Sequence, residues 1–184
     1  SVEALFYYSS MVFERANIEG ASFVTQGLGA VHVLSTLSSL YIPTRYFTRE
    51  LLIFSYCVLA TAQVLLGTTL ATGAYQGLAV FAATLAVVTS AVGLTTSIWF
   101  AVYDLIRESQ RRTVFLVGVG VHWFASLVIG MFFPATYRAI GPAVFIGFGA
   151  VTAAAAVVAG LAVRPPRSRS RGSFGEVTRV ASQP

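Results

Sequence analysis

The chain of 184 residues contains no lysine and few charges of either sign. Only 10% of its residues are charged and 56% are apolar, whereas soluble domains carry about 25% charged residues. This composition excludes a soluble globular protein, and apolar runs near 20 residues long predict membrane-spanning helices. The runs are continuous rather than alternating, which argues against a barrel of strands. We therefore predict an all-α integral membrane protein that contacts membrane lipid.

Residues that carry chemistry are also scarce. The single cysteine, Cys57, excludes a disulfide framework, and two histidines on different apolar runs give no zinc spacing. The pairs Gly27-Leu-Gly29 and Gly118-Val-Gly120 lack the third glycine of a dinucleotide loop. No nucleophile is paired with a base. We expect no catalytic residue, no metal and no cofactor, and hence no enzyme.

Six apolar runs organise the sequence. The first, over residues 4–13, is half a span long, and we interpret it as the remainder of a helix whose upstream part is missing. Five complete spans are predicted, over residues 23–41, 51–70, 78–103, 114–133 and 142–163. Turns are expected over 71–77 and 134–141, and charged loops over 14–20, 44–50 and 104–112. The chain thus divides into a transmembrane bundle, 1–163, and a polar, disordered Arg/Ser-rich tail, 164–184.

The arginines predict the orientation of this bundle. If successive loops alternate between the two sides of the membrane, Arg15 and Arg138 lie on one side and the other ten arginines on the opposite side. Loops rich in arginine stay in the cytoplasm. The C-terminus is therefore predicted to be cytoplasmic. The arginines lie in short segments beside the apolar runs. The net charge of +5 therefore does not indicate a nucleic-acid partner.

Several motifs resemble those of the C-terminal half of sugar porters in the major facilitator superfamily. Phe6-Tyr7-Tyr8-Ser9-Ser10, followed by Phe13-Glu14-Arg15-Ala16, is similar to the family's seventh helix. Gly27-Leu-Gly29-Ala-Val-His32 resembles the eighth helix, and Trp99 to Arg111 resembles the end of the tenth helix and its loop. Trp123, Phe133-Pro134 and Ile140-Gly141-Pro142 are similar to the last two helices. The resemblance implies the C-terminal helical bundle of that fold, with a half helix and five complete helices.

The resemblance also implies which residues line the solute path. Glu3, His32 and Ser126 stand where the family has asparagines that bind sugar hydroxyls, and Asn17 is the only asparagine in this chain. Glu3 is a candidate proton-coupling carboxylate, with an exposed position at the end of the sequence as the alternative. For His32 the alternative to solute contact is a hydrogen-bonded packing histidine. His122, beside a tryptophan, is interpreted as a packing residue.

Four aromatic residues complete the candidate site. Tyr7 and Tyr8 resemble the aromatic gate at the outer end of the cavity, with an interfacial belt as the alternative. Trp99 resembles the tryptophan at the inner end, with an inner-interface anchor as the alternative. Trp123 lies in the middle of a predicted span, where both packing and cavity lining remain open.

The function that these features imply is transport of a sugar or similar small polar organic solute by alternating access. The solute would bind between this bundle and a missing N-terminal transporter half, in a protein of the plasma membrane. Two alternatives stay open. Loss of the cavity asparagines also fits a sensor that binds without translocating, and the glycine-rich spans also fit a membrane scaffold subunit.

Overall fold

The computed structural model describes residues 2–39, 48–73, 75–95, 97–98 and 106–162, and every regular element among them is helical. Six α-helices are bounded within the described residues, with a π-helical segment after the fourth. They are α1 (Val2–Arg15), α2 (Ala21–Ser38), α3 (Thr48–Thr72), α4 (Gln76–Thr89), the π segment (Ser90–Leu94), α5 (Glu108–Ile140) and α6 (Ala143–Ala162). The predicted all-α membrane fold is confirmed.

Residues with left-handed backbone conformations separate the helices. Asn17, with φ of 53°, and Gly20, with φ of 70°, turn the chain between α1 and α2. Gly73, with φ of 63°, follows α3, and its N–H donates to the carbonyl of Thr69 at 3.0 Å. Gly141 closes α5 in the same way, with φ of 60° and a 2.9 Å bond to the Tyr137 carbonyl. Glycine is favoured at such C-terminal positions because it has no Cβ.

The helices enclose one main apolar core. Helix α1 packs on α2 and α5, α2 packs on α4, and α3 packs on both α4 and α6. The largest fully buried apolar side chains come from α1, α3, α4 and α6; they are Leu5, Val12, Phe13, Leu66, Val87 and Phe145. The α5 helix contributes Phe133 and Tyr137 near its C-terminal end. Most of α5 remains outside the core.

Four helical stretches among the described residues are long and apolar enough to cross a membrane: Glu50–Thr72, Gln76–Leu94, Glu108–Ile140 and Ala143–Leu161. Five were predicted. The first predicted span corresponds to α2, which carries Gln26 and His32 and is not among the stretches apolar enough to be counted. Its predicted last residues, 40 and 41, lie outside the described part. At 33 residues, α5 is about 50 Å long and exceeds the roughly 30 Å hydrocarbon layer.

Two predicted connections are wrong because α5 is longer than its apolar run. Residues 134–140 were expected to form a turn after Pro134, yet they continue the helix to Ile140. Phe133 and Tyr137, one helical turn apart, stack together and pack on Phe145, which holds these last turns in the core. At the other end, Glu108 and the residues up to 112 form the first turns of α5 rather than a loop. Of the other predicted loop residues, Ile106 and Arg107 precede the helix, as expected, whereas 104 and 105 lie outside the described part, as does the predicted tail.

The third predicted span contains the π segment, in which Gly93 lies and which Thr95 directly follows. A Cβ placed on Gly93 would lie within 2.6 Å of the Ser55 Cβ on α3, so only glycine fits this contact. The Thr95 hydroxyl donates to the Ser90 carbonyl, five residues earlier, at 2.9 Å. A π segment widens the helix by one residue and is found at functional sites. Gly93 therefore allows a close approach between the π segment and α3.

Three connections lie together at one end of the bundle. The Arg15 guanidinium sits over the Tyr137 ring at 5.9 Å, which joins the ends of α1 and α5. The side-chain amide of Gln76 donates to the Asn17 carbonyl at 2.7 Å, which joins the start of α4 to the α1–α2 connection. The connections after α1, α3 and α5 therefore share a side, as alternate loops should.

Candidate functional site

A cleft of about 470 Å³ lies between α1 and α5. Tyr7 and Tyr8 line it from α1, and the residues that line it from α5 are Trp123, Ser126, Leu127, Gly130 and Met131. Volumes of about 300–1,000 Å³ are usual for small-molecule sites with aromatic walls and few polar groups. The cleft brings together four of the seven residues that the sequence analysis assigned to the site.

The two gate candidates occupy different environments. Tyr7 is 64% exposed and offers both its ring and its hydroxyl to the cleft. Tyr8 is half-buried, and its hydroxyl donates to the Gly130 carbonyl at 2.9 Å. The Tyr8 ring also stacks on Phe133, with centroids 5.4 Å apart and planes 21° apart. Tyr8 therefore ties α1 to α5, whereas Tyr7 is free to meet a ligand.

The α5 wall combines an aromatic surface with hydrogen-bond acceptors. Trp123 is 62% exposed and lines the cleft. The Ser126 hydroxyl donates to the His122 carbonyl at 2.9 Å, so its proton is engaged and its lone pairs remain acceptors. An aromatic face with nearby acceptors can hold a molecule that has an apolar ring face and hydroxyl groups.

Glu3 and His122 meet one helical turn beyond this lining. The Glu3 Oε1 and His122 Nε2 atoms are 3.1 Å apart, and the side chains are 35% and 54% exposed. Glu3 precedes Tyr7 by four residues and His122 precedes Ser126 by four, so the pair continues both walls of the cleft. The sequence analysis missed this role for His122. A helical spacing of four, through His122, Ser126 and Gly130, was the signal that could have found it.

His32 lies apart from the cleft, on α2. Its ring packs on Phe6 of α1, with centroids 5.0 Å apart and planes tilted by 58°. The His32 Nδ1 atom is buried and has no hydrogen-bond partner among the described residues. Phe6 and Tyr7 are adjacent on α1, so His32 and the cleft lie on neighbouring sides of one helix. Trp99 lies outside the described residues.

Comparison with known proteins places the chain in a family. A family model described as "Sugar (and other) transporter" matches residues 2–165. The chain is 29% identical to the "Solute carrier family 2, facilitated glucose transporter member 5" of Pongo abelii over 158 residues, which cover 82% of this chain and 31% of that protein. It is 26% identical to member 7 of Homo sapiens over 187 residues, covering 97% of this chain and 36% of that protein.

A third relative is member 4 of Bos taurus, 28% identical over 186 residues that cover 97% of this chain and 35% of that protein. The chain thus spans about a third of the length of the curated relatives that it matches. The family match covers nearly all the described helices, including both walls of the cleft. The chain is an all-helical membrane protein that belongs to the sugar transporter family.

Proposed function

We propose that this chain takes part in moving a sugar or similar small polar organic solute across a membrane by alternating access. The observation that carries the proposal is the cleft between α1 and α5. Its two walls are separated by more than 100 residues in sequence, and they combine Tyr7 and Trp123 with the acceptor oxygen of Ser126. This is the lining that a hydroxylated ring compound needs.

Each polar group of the cleft has a role in this proposal. The Tyr7 and Trp123 rings pack on the apolar face of the solute, and Ser126 accepts a hydrogen bond from a solute hydroxyl. Glu3 and His122 bound the far end of the site, where the carboxylate can accept from the solute or exchange a proton. Tyr8 closes the opposite end. His32 and Trp99 are proposed to meet the solute from outside this cleft.

A second transporter half completes the site in this proposal. The relatives are about three times as long as this chain, and a cleft that is open along one side leaves a solute partly uncovered. A similarly folded N-terminal half facing α1 and α5 would cover it. From the arginine partition we further propose that the C-terminus is cytoplasmic and that the protein resides in the plasma membrane.

The test is counterflow of labelled hexoses and polyols in vesicles that contain the full gene product bearing this chain. Trp123→Ala should weaken solute affinity about tenfold, because an aromatic contact with its buried area is worth about 1.4 kcal/mol. Phe124→Ala is the matched control, since Phe124 is as exposed as Trp123 on the same helix but does not line the cleft.

Two results would contradict the proposal. Equal losses of affinity in the two variants would mean that the cleft is not the solute site. Saturable binding of a sugar with no counterflow would instead identify a transporter-like sensor.

A further inference from the structure

Pro134 lies inside α5, where proline removes a backbone donor. In an α-helix the N–H of residue 134 would donate to the carbonyl of residue 130, four positions earlier. Proline has no N–H, and its ring also crowds that carbonyl and kinks the helix. Gly130 therefore has a carbonyl oxygen without its helical donor. This carbonyl therefore needs another donor, either a side chain or water in the cleft that Gly130 lines.

Tyr8 supplies a donor to this carbonyl. Its hydroxyl lies 2.9 Å from the Gly130 oxygen, although the two residues are 122 positions apart in sequence. A Cβ built on Gly130 would meet no atom within 4 Å, so packing does not require glycine there. Gly130 contacts α1 through its carbonyl oxygen, which has no helical donor and accepts from Tyr8.

The bond lies at the boundary between the fixed and the open parts of α5. On one side of Gly130, Phe133 and Tyr137 are buried in the main core. On the other side, Trp123 and Leu127 are exposed along the cleft. Proline inside a helix favours a bend, and Pro134 lies at this boundary. The Tyr8 hydroxyl is the polar contact nearest to it from the opposite wall.

We propose that the Tyr8 hydroxyl and the Gly130 carbonyl form a latch that holds the kinked α5 against α1 and keeps the cleft narrow. When the latch opens, the half of α5 before Pro134 bends away from α1 and Ser126 becomes accessible. Tyr8 is then a positioning residue that acts through the α5 backbone. This inference rests on the proposed function, because it assigns a movement to the same cleft.

The test uses the dependence of the latch on proline. Pro134→Ala returns an N–H to position 134, so the Gly130 carbonyl regains its helical donor and no longer needs Tyr8. Access to the cleft is measured in vesicles as the alkylation rate of a single cysteine, Ser126→Cys, in a Cys57→Ala background of the full gene product. Tyr8→Phe should raise that rate roughly fivefold, the population change given by losing one net hydrogen bond. In the Pro134→Ala background, Tyr8→Phe should change the alkylation rate less than about twofold. The Gly130 carbonyl then accepts its helical hydrogen bond from residue 134 and no longer depends on the Tyr8 hydroxyl.

Tyr137→Phe is the matched control. Tyr137 stacks on Phe133 at 5.7 Å and 22°, nearly as Tyr8 does, but its hydroxyl is not bonded to Gly130. It should leave the alkylation rate unchanged in both backgrounds. A purely structural Tyr8 would instead lower the thermal midpoint equally with and without Pro134 and leave alkylation unaltered, which would overturn the latch. Because alkylation requires no solute, the latch and the transport can be refuted separately. If Tyr8→Phe does not raise the alkylation rate but counterflow occurs, only the latch is refuted. Absent counterflow with the latch effect intact refutes only the transport.

Discussion

The helix pair α3–α6 and the helix pair α1–α5 are built on different contacts. In the first pair, a Cβ on Gly67 would lie 3.1 Å from the Pro142 carbonyl, and one on Gly149 would lie 3.2 Å from the Ala60 carbonyl. The helices therefore touch backbone to backbone. In the second pair, an open cleft separates part of the two walls. Side-chain contacts join the helices along the cleft, through the Tyr8 hydrogen bond to Gly130 and the Glu3–His122 pair, and beyond it through the Tyr8–Phe133 stack and the Arg15–Tyr137 contact.

This difference indicates which part of the bundle is rigid. Lipid tails are as apolar as leucine, so close packing of small residues is a main source of helix association in membranes. The α3–α6 pair has that packing along its length, whereas α5 exposes large side chains such as Phe124 and Phe132. We infer that α3 and α6 form the fixed scaffold and that relative movement occurs between α1 and α5. Variants that damage the scaffold should change stability, and variants in the cleft should change solute affinity.

The largest effect on stability is expected from a substitution at Gly67, which lies in the α3–α6 contact. In Gly67→Ala the new Cβ would stand 2.8 Å from an Ile146 side-chain carbon and 3.1 Å from two backbone atoms, and backbone cannot give way cheaply. Overpacking of this kind costs about 1–3 kcal/mol, so the thermal midpoint in detergent should fall by several degrees. Gly147→Ala on α6 is the control, because its Cβ would meet no atom within 4 Å. Equal midpoints for the two variants would show that α3 and α6 are not held by this contact.

Apolar composition alone was sufficient to predict the scaffold. The span expected over 51–70 is α3, Thr48–Thr72, and the span expected over 142–163 is α6, Ala143–Ala162. A long uncharged run in a membrane has few alternatives to a helix. The residues after Pro134 were wrongly predicted to form a turn, because proline usually ends or kinks a helix. The contacts that keep its helix intact come from Tyr8, 122 residues away, and from the aromatic cluster around Phe133.

The cleft was only partly predictable, because it also depends on contacts between residues far apart in sequence. Tyr7, Tyr8, Trp123 and Ser126 were assigned by their resemblance to family motifs, and the structure brings these four together. The contact between Glu3 and His122 joins residues 119 positions apart, and no local pattern specifies such a pair. His32 was placed by motif in the same site, whereas its contact is with Phe6 on the neighbouring side of α1. Whether a residue meets the cleft or His32 depends on the direction of the side chains on α1. The order of the motifs in the sequence does not specify that direction.

A smaller effect is expected from the buried polar contact of the scaffold. The Thr152 hydroxyl on α6 lies 2.8 Å from both the Gln63 Oε1 on α3 and the Phe148 carbonyl of its own helix. Such links between membrane helices are worth about 0.6 kcal/mol on average. Thr152→Val should lower the free energy of unfolding by about that amount and leave solute affinity unchanged. Thr61→Val, which removes a hydroxyl bonded only within α3 at Cys57, is the comparison. A larger loss for Thr61→Val than for Thr152→Val would argue against a stabilising α3–α6 link.

The smallest effect on stability is expected at the Glu3–His122 contact of the cleft. The His122 imidazole can donate its Nε2 proton to the Glu3 carboxylate, which gives a hydrogen bond to a charged acceptor. Because both side chains are substantially exposed, solvent screening limits the coupling to about 0.2–1 kcal/mol.

A double-mutant cycle with Glu3→Gln and His122→Gln measures that coupling in the free energy of unfolding, and solute affinity is followed in the same four proteins. We expect a coupling free energy below about 1 kcal/mol. The affinity change should exceed the stability change, since the carboxylate bounds the solute site rather than the core. Glu19→Gln is the control, because Glu19 is an exposed carboxylate in the α1–α2 connection, away from the cleft. A pair that served only as a structural tie would alter stability and affinity in proportion. Absence of coupling would mean that Glu3 and His122 do not act together, and the polar contacts described between α1 and α5 would then be the Tyr8–Gly130 hydrogen bond and the Arg15–Tyr137 contact.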